Sequence, residues 1–273
     1  MRTGLRRVTR RLGEVLVGFG APERQLVLLD YRVDPQPRGQ HAEIRAMLDT
    51  GEVGYRTALM TLADVLPRLD DSLPWENRFL SPFDAVTLYG LISTMKPQRY
   101  VEIGSGNSTV YARRAIVDHS RGTKLISIDP NPREDIDRLC DELVRMRLED
   151  IDPTFFCDLE KDDIVFFDGS HCAFPNSDVT VFFLDVFPNL APGVAVGIHD
   201  IYLPDDYPPD ATSRMWSEQY LLATQLLAEG VDRVLLPNFY VTHYTDIATE
   251  ALRDPWDRLS LTDYHGCAFW MLT

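Results

Sequence analysis

The chain has 273 residues, 45 % of them hydrophobic, and a formal net charge of −15. This is enough apolar material for one large domain with additions or for two small ones, and the acidity argues against a nucleic-acid partner, whose phosphates call for a basic face. No apolar run reaches the ~18 residues of a membrane-spanning helix, and Cys140, Cys157, Cys172 and Cys267 show no C-x-x-C spacing, as expected of reduced thiols in a cytoplasmic protein.

Residues 1–75 read as an N-terminal extension, partly helical, with too little apolar content for a core of its own. Five arginines and no acid stand in the first 11 residues, without the long apolar stretch and cleavage site of a signal peptide. Gln25–Leu29 is apolar, Asp34–Gly39 is turn-prone, and helical periods run through His41–Leu48 and Tyr55–Leu69. Asp70–Pro74 reads as the junction with the domain over residues 76–273.

From Trp75 onward helical and strand patterns alternate, the signature of a mostly parallel sheet with helices on both faces. Ser81 before Pro82 predicts a capped helix through Met95. Strands are expected at Tyr100–Ile103, Leu125–Ile128, Asp163–Phe167, Val194–Ile198, Arg233–Val241 and Gly266–Leu272, with a short third strand at Arg147–Asp150. Helices are expected at Ser108–Val117, Asp135–Met146, Asp178–Phe187 and Glu218–Glu229.

The motif that matters most lies at the end of the first of these strands. Glu102-Ile-Gly104-Ser105-Gly106-Asn107 turns a strand sharply into a helix, and Asp129 closes the next strand. Glycines let backbone approach a ligand, the helix start offers free N–H groups, and an acid after the second strand suits two ribose hydroxyls. A dinucleotide fold prefers a third glycine where Thr109 stands, and Glu102 would repel a pyrophosphate but suit an ammonium or sulfonium. The pattern resembles the first two motifs of class I S-adenosylmethionine-dependent methyltransferases, and the resemblance covers residues 76–273. The wording of Phe167–His171, Asn176–Asp178 and His199–Ile201 is similar to a bacterial subgroup of small-molecule methyltransferases. It implies a Rossmann-like seven-stranded sheet with the last strand antiparallel. It also implies S-adenosylmethionine as cofactor, held by Glu102, Gly104, Ser105, Gly106, Asn107 and Asp129, with Glu149 or Asp150 near the adenine.

On the acceptor side, Asp168–His171 and His199–Asp200 end the fourth and fifth strands. Asp168 and Asp200 resemble the two metal-binding aspartates of catechol O-methyltransferases, which implies a divalent metal such as magnesium. Ile201 stands where those enzymes carry an amide ligand. Without a metal, His171 or His199 would serve as general base, oriented by Asp168 or Asp200. Tyr202–Asp210 and Met215–Trp216 are placed as a lid, an acceptor wall, or an ordered surface loop. The expected reaction is O-methylation of a small hydroxylated molecule such as a sugar, natural product or phenol. A catalytically silent cofactor-binding scaffold and a nucleotide-linked oxidoreductase are the rivals. Self-association into a homo-oligomer stays open.

Overall fold

The computed structural model describes residues 38–75, 77, 79–132 and 135–273. The basic start and Gln25–Leu29 lie outside the described residues. Seven strands form one sheet: β1 (Arg99–Ile103), β2 (Lys124–Ile128), β3 (Glu142–Val144), β4 (Ile164–Phe167), β5 (Ala195–Ile198), β6 (Val234–Pro237) and β7 (Phe269–Leu272). Their order is β3-β2-β1-β4-β5-β7-β6. Strands β1 to β5 pair in parallel, and β7 runs antiparallel to both β5 and β6.

The sequences of the central strands explain their place. Ile164-Val-Phe-Phe167 is buried at every position, as a strand covered on both faces must be. In the neighbouring strand the exceptions are polar: Glu102 lies in register with Ser127, and both are fully buried. Strand order reverses between β1 and β4, so the crevice beyond their carboxyl ends is where an open α/β sheet takes its ligand.

The helix over Pro82–Met95 starts where expected, with the Ser81 hydroxyl accepting from Asp84 N at 3.1 Å. Numbering helices from residue 38, it is α3, after α1 (Ala42–Asp49) and α2 (Glu52–Ala63). Ile44, Leu48, Tyr55, Leu59 and Leu62 of α1 and α2 are buried in the same apolar cluster as the sheet. α4 (Asn107–His119) follows β1, and α5 (Asp178–Val181) follows β4. α5 runs on through a π turn, Phe182–Val186, closed by Phe187 N donating to Phe182 O, and a 3₁₀ turn containing Pro188 ends it. α6 (Pro209–Ser213), α7 (Glu218–Glu229), α8 (Asn238–Tyr244) and α9 (Ile247–Arg258) complete the set, α9 being additional to the predicted elements.

Three expectations are corrected. The Asp135–Met146 span is a 3₁₀ turn at Asp137–Leu139 followed by β3, and Arg147–Asp150 is not a strand but holds a 3₁₀ turn at Leu148–Asp150. β3 is a three-residue edge strand with none of its residues fully buried, so it carries no apolar alternation to read. The span Arg233–Val241 is strand only to Pro237, whose ring nitrogen cannot extend the ladder, and α8 begins at once.

Candidate active site

Four strand ends meet at the carboxyl edge of the sheet. β1 is tied to its neighbours there by Gly104 N donating to Ile128 O at 3.0 Å and Asp168 N donating to Ile103 O at 2.9 Å. Gly104 has φ +82°, and a Cβ on it would stand 1.9 Å from the Asp168 carbonyl oxygen. Only glycine fits. At Gly106 the space that a Cβ would take is empty to 4 Å, which leaves the start of α4 open to a ligand.

The turn is braced from below. Glu102 accepts from the Tyr100 hydroxyl at 2.9 Å and from the Thr109 hydroxyl, and Thr109 in turn accepts from Gly106 N at 3.1 Å. The two departures from a dinucleotide motif, Glu102 and Thr109, are therefore one feature. Burial pushes the Glu102 carboxyl up to about 7, against the pull of its hydroxyl donors Thr109, Ser108 and Tyr100. Asp129 accepts from Ser105 N at 3.0 Å and Asn131 N at 2.7 Å, which places it directly under the turn. Ser105 Oγ meets Ser127 Oγ at 2.7 Å, and the Asn107 amide donates to Asn77 at 3.1 Å. Asp150 is exposed and paired with Arg147 at 2.9 Å.

Across the crevice the structure brings together Asp168, His171, His199 and Asp200. Asp168 Oδ1 lies 3.5 Å from His171 Nε2 and 3.5 Å from His199 Nδ1. Asp200 lies 3.4 Å from His171 Nε2 through Oδ2 and 3.8 Å from His199 Nδ1 through Oδ1. His171 and Asp200 both have left-handed backbones, φ 61° and 57°, an uncommon conformation for residues with a Cβ and one that concentrates at functional sites. Side-chain exposure falls from 31 % at Asp168 and 19 % at Asp200 to 4 % at His199, so the carboxylates are the open face.

Two further carboxylates back the histidines, and sequence reasoning missed both. Glu218, at the start of α7, meets His171 Nδ1 at 2.5 Å and is fully buried. Asp84 of α3 stands 3.4 Å from His199 Nε2. It also accepts from Cys267 N, Ala268 N and the Asn238 amide, at 2.7–3.0 Å. The only signal for Asp84 was its place three residues after Ser81, which reads as a helix cap. For Glu218 it was an acid in a first helical turn, which reads as a partner of the helix dipole.

Electrostatics follow from this packing. Burial disfavours a charged His171, but Glu218, with Asp168 and Asp200, outweighs it and raises the imidazole to about 9. Burial raises the Glu218 carboxyl to about 7 against the attraction of His171. For Asp84 burial is outweighed by His199, Asn238 and the Ala268 N–H, which hold it well below the usual carboxylate range.

The loop after β5 closes one side. Trp216 packs on the His171 ring with centroids 4.2 Å apart, and Tyr207 meets Trp216 edge-on at 6.1 Å. Ser217 N donates to His171 O at 2.7 Å, which pins the loop to the site. Ile201 is buried in the core and offers the crevice no polar group.

The family model described as "Methyltransferase domain" matches residues 101–201, the stretch from β1 to just past β5. No curated protein matches the chain. Among solved structures, it is similar to the O-methyltransferase from Bacillus cereus in complex with S-adenosylhomocysteine (SAH). That chain is 17 % identical, with 65 % of this chain and 81 % of the other covered, at a TM-score of 0.38. The SAH-bound methyltransferase of Podospora anserina is 14 % identical over 77 % of this chain and 92 % of its own, at a TM-score of 0.41. No helix among the described residues is long and apolar enough to cross a membrane. The matched span supplies every parallel strand from β1 to β5, so over residues 101–201 the chain is similar to a methyltransferase domain.

Proposed function

We propose that the enzyme moves the methyl group of S-adenosylmethionine to a hydroxyl oxygen of a small molecule, such as a sugar, natural product or phenol. The observation that carries this reading is the meeting of two carboxylates and two imidazoles across the crevice from the glycine turn. Such groups suit a substrate that must lose a proton as it accepts a methyl group.

On the donor side, the Gly104–Gly106 backbone and Asn107 at the start of α4 face the methionine end. Glu102 beneath them supplies negative potential for its ammonium and sulfonium. Asp129 takes the ribose hydroxyls. A carboxylate has about four acceptor positions, and two backbone N–H groups occupy only part of them. Asp150 or Glu149 approaches the adenine.

On the acceptor side, Asp168 and Asp200 hold a divalent cation. The donor set fits one: ligand atoms of Asp168, His199 and Asp200 lie within 4.8 Å of one another, and His199 Nδ1 is buried without a hydrogen-bond partner. Bound there, an ion such as magnesium lowers the pKa of the acceptor hydroxyl. Asp168 and Asp200 orient that hydroxyl, while Trp216 and Tyr207 exclude water and align it with the donor methyl. A second reading, in which no ion is bound, makes His171 or His199 the group that takes the hydroxyl proton, a step that for His171 needs the ring neutral against the pull of Glu218, Asp168 and Asp200.

The test pairs calorimetry with turnover. SAH is expected to bind with measurable heat and a nicotinamide dinucleotide is not. Methyl transfer to a panel of phenols and sugars is expected to stop in chelator while SAH binding persists. Absence of heat and of thermal shift with SAH overturns the reading. Full turnover in chelator transfers the proton step to the histidines, and SAH binding without turnover on any acceptor favours a silent scaffold.

A further inference from the structure

We propose that residues 68–80, which include the expected junction, form a strap of the donor site, and that Asn77 near its end is a positioning residue that sets SAH affinity through Asn107. The inference rests on the reading of Asn107 as part of the donor cradle and adds a residue which that reading does not contain.

The strap follows one stripe of α4. Asn107, Tyr111, Arg114 and Asp118 are spaced three or four apart and so share a helix face. The segment passes them in reverse order, turn by turn. Arg68 donates to Asp118 O, and Arg114 donates to Arg68 O at 2.8 Å, to Asp70 at 2.9 Å and to Ser72 at 3.2 Å. The Tyr111 hydroxyl donates to Pro74 O at 2.9 Å, and its ring packs on Trp75 with centroids 5.4 Å apart. The last contact is Asn107 Nδ2 donating to Asn77 Oδ1 at 3.1 Å. Leu69, Leu73, Trp75 and Leu80 are buried along the way. A domain linker is an exposed stretch that few contacts cross, whereas this one is stitched to the helix that opens the donor cradle.

The bonds of Asn77 fix the orientation of both amides. Asn77 Oδ1 accepts from Phe79 N at 3.1 Å and from Leu80 N at 2.8 Å. Backbone N–H groups only donate, so the atom that faces them is the oxygen, and Asn107 must turn its NH₂ toward it. Asn77 Nδ2 donates in turn to Pro74 O at 3.1 Å, the carbonyl that Tyr111 also holds. Asn107 is thereby set at the first position of α4, directly after Gly106, where no Cβ fills the space. Asn77 takes one amide hydrogen of Asn107. The second hydrogen and the carbonyl oxygen of that amide complement a carboxylate and an ammonium, the end groups of the donor's amino acid. Without Asn77 the Asn107 side chain regains its rotamers, and ordering it again on binding costs affinity.

Calorimetry of SAH with the full chain tests this through a double-mutant cycle. Asn77→Ala is expected to weaken SAH binding about 3–10-fold. Asn107→Ala is expected to weaken it at least as much, and the double variant to bind no more weakly than Asn107→Ala alone. A merely structural Asn77 would lower the denaturant midpoint and leave SAH affinity where it was, and that result overturns the inference. The full Asn77→Ala loss appearing on top of Asn107→Ala overturns it as well. Tyr111→Phe loosens the strap while keeping Asn77, and should weaken SAH by a smaller factor that vanishes in the Asn107→Ala background. This variant decides the matter if Asn77→Ala does not fold, and unchanged affinity then overturns the inference. Wild-type protein that binds no SAH overturns the donor reading itself and the strap with it, whereas wild-type binding that is indifferent to these variants overturns the strap alone.

Discussion

The two sides of the crevice are finished to different degrees. On the β1–β2 side every acid already has close partners: Glu102 its two hydroxyls, Asp129 its two backbone N–H groups, Asp150 its arginine. On the β4–β5 side the aspartates and imidazoles approach one another to 3.4–3.8 Å, Asp200 also accepts from Cys267 Sγ at 3.3 Å, and one closer pair, His171 with Glu218 at 2.5 Å, lies behind them. The first side is a preformed cradle whose hydrogen bonds hold the turn whether or not a ligand is present. The second is looser, with its carboxylates more exposed than its imidazoles.

The largest expected effect breaks both sides together. Gly104→Ala puts a methyl group against the Asp168 carbonyl at a positive φ, and should cost about 3 kcal/mol or more, read as a shift in denaturant midpoint. A variant as stable as wild type would mean the two sides do not touch there. Next, Asp200→Asn should lower turnover about 100-fold, or ~2.7 kcal/mol in the barrier, with SAH affinity unchanged. A parallel loss of SAH affinity would erase the distinction between the sides. Asp129→Ala should do the reverse and weaken SAH binding by about 1.5–3 kcal/mol, as expected for hydrogen bonds to a charged partner. Unchanged calorimetric affinity would remove Asp129 from the cradle.

The most gradual effect is a pH slope. Glu102 is held at about 7 in the fold, chiefly by burial, against an ordinary glutamate value of 4.5. A raised carboxyl favours the fold fully below its unfolded pKa, and that favour is lost as pH climbs through about 7. Stability should therefore fall by at most about 1.4 kcal/mol per pH unit, and by about 2.5 kcal/mol in all between pH 4.5 and 7, and Glu102→Gln should flatten this part of the profile. An identical profile in the variant would show that Glu102 ionises as freely in the fold as in the unfolded chain.

What could be read beforehand follows the same division. The apolar runs of β1, β2, β4 and β5 and the Ser81 cap stand in the chain as local patterns, and each strand delivers its acid or histidine at its own end. Asp84, Glu218, Asn238 and Cys267 were not legible in these roles, because their meaning lies in contacts across 47 to 183 residues of sequence. Asp84 is both cap partner and ring support, and only the first role leaves a mark three residues away. β3 escaped detection for the opposite reason, since a short, half-exposed edge strand with Glu142 paired to Lys124 has no apolar rhythm to show.

The near-collision of Gly104 with the Asp168 carbonyl has a consequence for how the enzyme diversifies. The ends of β1 and β4 are joined there by backbone, so the separation of the glycine turn from Asp168 is set by main chain rather than by the side chains around it. Residues 202–216 stand outside that link, but Leu203, Tyr207 and Ala211 are buried and Arg214 O accepts from Cys172 Sγ, so variation there is confined to the exposed positions.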